Sequence, residues 1–151
     1  MDTEALGGTL LSTVPFARTL GIEFLRVTPA GSGVSAVVRL PDRDDLHNHV
    51  GGPHAGAPFA LGHTASGAVV MATFADQFGR AVPLVVGAGV AYHRLARGRV
   101  TATATLHDDP ATVVAALDAG ERPEFSVDVE ITREDGAVVA TMSITWTLRP
   151  N

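Results

Sequence analysis

The sequence predicts an α+β domain in which one antiparallel sheet of about six strands wraps round a single long buried helix. Three observations lead there. The segment Ala57–Phe74 is rich in alanine and apolar on nearly every side, the mark of a helix covered all round. Strand-like segments lie before and after it, with apolar and polar residues alternating most clearly over Glu124–Thr132. Nothing else in the 151 residues could cover that helix except the sheet those strands build.

Taken in order, Thr9–Leu20 places Leu10, Leu11, Val14, Phe16, Ala17 and Leu20 near helical spacing before Gly21. It is expected to form a short N-terminal helix, with Pro15 limiting its regularity. Ile22–Val27 and Val34–Leu40 read as two strands joined by the turn-rich stretch Thr28–Gly33. A polar, glycine-punctuated loop runs from Pro41 to Gly56 into the long helix, where Pro58 suits the first turn because its missing N–H costs nothing there. Val82–Tyr92 and Arg99–Leu106 read as strands separated by a basic turn, and Ala111–Ala119 as a short helix ending at Gly120. The last two strands, Glu124–Thr132 and Ala137–Leu148, hinge on Glu134-Asp135-Gly136, and Asp-Gly is a strong hairpin signal. The expected organisation is one domain over 1–151, with a helical segment at 1–20 and a core at 21–151.

Composition narrows the function classes. A 46% apolar and 18% charged content is that of a globular chain, and the low charged share suggests surface covered by another copy of it. The formal net charge of -5 argues against nucleic acid as a partner. All 11 basic residues are arginine, a bias that fits a GC-rich bacterial coding sequence. With no cysteine, thiolate nucleophiles and disulfides are excluded. Met1-Asp2-Thr3-Glu4 lacks a signal-peptide pattern, and no apolar run reaches the roughly 20 residues that span a bilayer. A soluble cytoplasmic protein with no membrane partner is the expectation.

The stretch Asn48-His49-Val50-Gly51-Gly52-Pro53-His54-Ala55-Gly56, running into the helix, resembles the central segment of PaaI-like hotdog-fold acyl-CoA thioesterases. Val90-Ala91-Tyr92-His93-Arg94-Leu95-Ala96 resembles that family's Tyr-x-Arg-Pro-Ala strand. Asp135–Ala140, with Trp146 in the last strand, is similar to its C-terminus. The insertion near Ala111 resembles a little-characterised thioesterase-like branch. The resemblance implies the hotdog fold, a homodimer or dimer of dimers with sites at the interface, and hydrolysis of an acyl thioester without metal or cofactor. Coenzyme A or phosphopantetheine would enter only as part of the substrate, and an acyl carrier protein is a possible partner.

Thioester hydrolysis needs donors for a carbonyl oxygen, a base beside it and a slot for the acyl group. The N-terminus of a buried helix supplies free N–H groups and the positive end of its dipole, and small residues at Ala55, Gly56 and Ala57 allow close approach. By resemblance, the Ala55 N–H is the oxyanion donor, with Gly56 beside it, and Asn48 orients water or carbonyl. The family's catalytic carboxylate falls at His63, and no carboxylate lies on the helix before Asp76. The family's polar strand residue aligns with Val85.

Two readings of His63 stand side by side: a general base that activates water, or a buried, hydrogen-bonded histidine in a domain that only binds its ligand. His54 either contacts substrate or fixes its loop through backbone bonds, and the same choice applies to Asn48. Thr64 and Gly67 would line the acyl pocket. Ser66 and Thr64 lie outside any Gly-x-Ser-x-Gly elbow and are expected to bond the carbonyl one turn back. Phe59 and Trp146 are expected in the core.

His47, His49, His54 and His63 invite a metal reading, but no carboxylate is placed to complete a set, so no metal is expected. Arg94, Arg97 and Arg99, with His93, form the one basic patch, either a clamp for coenzyme A or phosphopantetheine phosphates or a solvated turn. A catalytically inactive acyl- or aromatic-binding protein, a hotdog dehydratase and a biosynthetic accessory enzyme are the alternatives to a thioesterase.

Overall fold

The computed structural model describes residues 2–28 and 33–151. Its first helix, α1 (Thr3–Thr13), begins where the Asp2 carboxylate accepts the Ala5 N–H at 2.7 Å, one of the donors a helix start leaves unpaired. Leu6 and Leu10 turn into the core, and the Val27 N–H donates to Thr3 Oγ1, docking the helix on the first strand. The single N-terminal helix expected over Thr9–Leu20 is in fact two. Val14 leaves helical geometry (φ -120°, ψ 83°) because the proline that follows disfavours the α region, and α2 (Pro15–Thr19) restarts with that proline in its first turn.

Strands β1 (Glu23–Thr28) and β2 (Ser35–Leu40) pair antiparallel. Most of the turn expected between them, 29–32, lies outside the described residues. A loop carrying a short 3₁₀ turn at Asp44–Leu46 leads to α3 (Gly56–Phe74). Four elements follow β3 (Ala81–Tyr92): β4 (Val100–Leu106), α4 (Pro110–Asp118), β5 (Glu124–Arg133) and β6 (Val138–Pro150). The six strands form one antiparallel sheet in the order β1-β2-β4-β5-β6-β3, packed on α3 in the hotdog arrangement.

Period-two patterning explains which face meets the helix. Ala36, Val38 and Leu40 of β2, Ala102 and Ala104 of β4, and Val127, Val129 and Ile131 of β5 point inward and are buried. From α3 they receive Leu61, Ala65, Ala68, Val69 and Phe74, all buried. Gly62 lets the helix approach the sheet closely, since a β-carbon there would overlap the Met142 sulfur. The opposite stripe of α3, with Phe59, Ala60, His63, Thr64, Gly67 and Met71, is not fully buried by the sheet, and the N-terminal helices pack against part of it.

Strand β3 departs from that pattern. It pairs only with β6, so its other edge carries unpaired backbone groups, and every residue from Val86 to Tyr92 is exposed. Val86, Val90 and Tyr92 are large side chains left uncovered there. No described helix is long and apolar enough to cross a membrane.

Candidate active site

The helix N-terminus is organised by its own loop. His54 Nδ1 accepts the Gly56 N–H at 3.0 Å, and the His54 carbonyl accepts the Ala57 N–H at 2.8 Å. Position 58 is proline, and the Phe59 N–H bonds the Ala55 carbonyl. Among the described residues this leaves the Ala55 N–H as the first-turn donor without an acceptor. Of the two backbone donors singled out in the sequence, the Gly56 N–H is therefore engaged and the Ala55 N–H is open. Ala55 and Gly56 are both exposed at the helix start, as an approaching carbonyl requires.

Asn48 shapes the same loop. Its Oδ1 accepts the Val50 N–H at 3.0 Å and the Gly52 N–H at 3.4 Å, an Asx-type turn that leaves the amide NH₂ to act outward. His47 is held by Asp42 at 2.6 Å, while His49 is exposed. No group of three or more metal-ligating side chains occurs among the described residues.

Further along α3, helical spacing puts His63, Gly67 and Val70 on one stripe, with Thr64 and Met71 beside it. These residues form one wall of a pocket of about 220 Å³. Leu10 and Thr13 of α1 and Val14 just after it also line the pocket, with Phe78, Pro83 and Trp146. Thr64 Oγ1 donates to the Ala60 carbonyl and Ser66 Oγ to the His63 carbonyl, so neither hydroxyl is poised as a nucleophile.

The imidazole of His63 stacks on the Trp146 indole. One edge of His63 is open to solvent while the indole and pocket wall crowd the ring, and this loss of hydration pushes its pKa below the usual histidine value. Trp146, expected simply as core, is buried and also forms the pocket wall behind His63. Its indole N–H donates to Ser66 Oγ at 3.1 Å. Val85, where the resemblance to PaaI-like thioesterases implied a polar residue, is half-buried opposite Trp146 on β3.

The basic loop lies against the Asn48 loop. A β-carbon at Gly52 would overlap the Ala96 carbonyl oxygen, and the Tyr92 hydroxyl donates to the Ala55 carbonyl at 3.0 Å. Arg99 is paired with Glu134 at 2.7 Å, and His93 bonds the Thr141 hydroxyl. Arg94 and Arg97 are exposed and form no ion pair among the described residues. Of the three arginines, two are thus exposed and unpaired among the described residues, on a loop that touches the helix-entry loop through Ala96.

Fold and site together define a hotdog-fold protein with an apolar pocket along its central helix. Residues 3–148 match a domain family described only as a domain of unknown function, DUF4442, and the chain belongs to that family. A search of curated proteins returns no match. Among solved structures, PA5026 from Pseudomonas aeruginosa, described as a probable thioesterase, superposes with a TM-score of 0.85 at 25% identity, covering 100% of this chain and 97% of its own. The thioesterase SAV0944 from Staphylococcus aureus superposes with a TM-score of 0.71 at 21% identity, over 91% of this chain and 100% of that one. The Escherichia coli PaaI protein, from the phenylacetic acid degradation operon, gives 0.71 at 18% identity, over 99% and 94%.

Proposed function

We propose that the protein hydrolyses acyl thioesters, of coenzyme A or of a phosphopantetheine carrier, with His63 as the base. The observation that carries this reading is the placement of His63. A neutral imidazole stands at an apolar pocket, on the helix whose N-terminus offers an open donor at Ala55. A lowered pKa keeps the ring unprotonated near neutral pH, the state a general base requires. Spacing supports it as well. SAV0944 has been solved with a glutamine and, fifteen positions later, a glutamate replaced, and Asn48 and His63 are separated by the same fifteen positions.

In the reaction, the thioester carbonyl oxygen accepts the Ala55 N–H. Water attacks the carbonyl carbon while His63 takes its proton. The tetrahedral oxyanion is stabilised by that N–H and the helix dipole. Collapse breaks the C–S bond, and the imidazolium returns its proton to the departing sulfur, giving a carboxylic acid and a free thiol. Asn48, through its NH₂, orients the water, and Arg94 and Arg97 hold phosphate groups at the mouth.

Ala55 and His63 lie eight residues apart, about 12 Å along the helix axis. One carbonyl cannot reach both within a protomer, so the site is completed across a homodimer, with Ala55 from one copy and His63 from the other. The unpaired β3 edge, with Val86, Val90 and Tyr92 exposed, is the surface through which two copies join their sheets. Pairing of such dimers into a dimer of dimers is compatible with this edge being used once.

A second reading rests on a specific observation: the helix bears no carboxylate before Asp76, so the pocket could hold an acyl or aromatic ligand without turning it over. One assay separates the two. Hydrolysis of a panel of acyl-CoAs is measured with the wild type, His63→Ala and His63→Glu. Loss of activity in the alanine variant with retention in the glutamate variant is expected. Absence of turnover in the wild type, with ligand still bound, would establish the binding protein instead.

A further inference from the structure

The pocket beside His63 is bounded in a way that sets the size of what enters it. It runs along α3 from His63 to Met71, eight residues or about 12 Å, and Phe78 and Pro83 also line it. Its roof is the end of α1, where Leu10 is buried and cannot swing aside without opening the core. Among its lining side chains only Thr13, His63, Thr64 and Trp146 carry polar atoms. The Thr13 and Thr64 hydroxyls are turned to helix carbonyls and the indole N–H is bound to Ser66. An occupant therefore meets hydrocarbon, sulfur and aromatic faces everywhere except at His63.

Resting on the thioesterase reading for the position of the carbonyl, we propose that this pocket is an acyl site whose volume best fits an apolar acyl group of about six to eight carbons, so that longer chains gain nothing further from it. The magnitude comes from volume: a dry apolar cavity of about 150 Å³ holds one benzene molecule. The 220 Å³ found here holds a six-membered ring with one or two further carbons, or a straight chain of similar carbon number. Straight-chain and arylalkyl groups share this chemistry, and only their binding separates them.

Gly67 sets the width. A β-carbon there would meet only the Trp146 ring, at 3.8 Å, an ordinary contact, so a side chain at this position occupies the pocket without disturbing the fold. Met71 lines the pocket two turns beyond His63 along α3 and is only half-buried, so its truncation lengthens the pocket at little cost to the core.

The test uses non-hydrolysable thioether analogues of acyl-CoA, from two to sixteen carbons, with phenylacetyl and phenylpropionyl members, titrated against the full-length protein by calorimetry. Kd should fall about fourfold for each added methylene up to about eight carbons and then stop falling or rise. Gly67→Ala should move the break to a shorter chain, Gly67→Leu should weaken the eight-carbon probe about tenfold or more while sparing the two-carbon probe, and Met71→Ala should move the break to a longer chain. The aryl members binding on the same curve as chains of equal carbon number supports a pocket selective by volume.

Tightest binding at twelve carbons or beyond, or a break unmoved by all three variants, would overturn the proposal. Because binding alone is read, a protein that shows the break yet hydrolyses no thioester would lose the enzymatic reading and keep this one. A protein that hydrolyses long and medium chains equally would do the reverse.

Discussion

The rings of His63 and Trp146 lie nearly parallel, 13° apart with centroids at 5.5 Å, and join the central helix to the last strand of the sheet. Through the indole N–H the contact continues to Ser66 Oγ, which in turn donates to the His63 carbonyl at 2.7 Å. Side chain and main chain of His63 are thus held by the buried pair Ser66 and Trp146 while its ring stays partly open to solvent, so its chemistry and its packing are tied together.

The direction of the His63 shift fixes a pH dependence. Burial favours the neutral ring, so its folded-state pKa lies below that of the unfolded chain. A base-catalysed rate should therefore stay high at pH values where an ordinary histidine is already half protonated, and fall only as pH drops through the lowered pKa. For stability, the unfolded state binds the proton first on acidification. The contribution from the neutral ring is complete above the unfolded value of about 6.5 and is lost as pH falls from there towards the folded value. Thermal midpoints of the wild type and His63→Gln, compared between pH 8 and pH 5, should show the smaller acid loss in the variant. An equal loss would remove His63 from the linkage.

Ser66 is fully buried, so Ser66→Ala leaves the Trp146 N–H without an acceptor and should cost about 1–3 kcal/mol. Trp146→Phe removes the donor while Ser66 keeps its bond to the helix carbonyl. The double variant should then cost less than the sum of the two single ones, because neither partner remains to be left unpaired. Urea denaturation of the four proteins reads the coupling directly, and strict additivity would mean that the indole finds another acceptor.

Gly52 is where the helix-entry loop and the arginine loop touch. In Gly52→Ala the new methyl group overlaps a backbone oxygen, Ala96 O, which cannot rotate away, so the two loops must part. A stability loss of about 1–3 kcal/mol is expected. If Arg94 and Arg97 hold phosphates, KM for acyl-CoA should rise in this variant and in Arg94→Ala/Arg97→Ala, while kcat changes little. Acyl-pantetheine substrates, which lack the nucleotide, should show no such rise. Equal effects on both substrate types would reduce the patch to a solvated turn.

The regular elements were legible because each carries its own period. The alanine-rich, largely apolar stretch over Ala57–Phe74 marked α3 within one residue of its observed start, and the alternation over Glu124–Thr132 marked β5 within one residue of its end. The break at Val14 was less so, since Leu10 and Ala17 keep helical spacing across an irregularity that only the proline signals. The pocket was half legible. His63, Thr64 and Gly67 could be grouped because they share one helix face, and the other walls could not. Leu10, Phe78 and Trp146 lie up to 136 positions apart and are brought together by the packing of α1, the end of α3 and β6, which no local pattern encodes. The capture of the Gly56 N–H by His54 depends on a rotamer, so the sequence offered both residues as candidates without showing that one occupies the other.

The proposed division of the site between two copies leads to a test that a one-chain site cannot pass. Ala55 has φ -53°, close to the angle proline imposes, so Ala55→Pro deletes the open N–H with little backbone change there. Alone it should lower kcat by about 10²–10³-fold, the usual effect of losing one oxyanion donor. His63→Ala should be similarly inactive. When the two variants are denatured together, refolded and allowed to pair at random, half the dimers are mixed. Each mixed dimer holds one site with the Ala55 N–H of one copy and His63 of the other intact, and one site with neither. About a quarter of wild-type activity should return. Recovery would show that donor and base act across the interface. Mixed dimers verified by mass spectrometry but inactive would place both groups in the same chain.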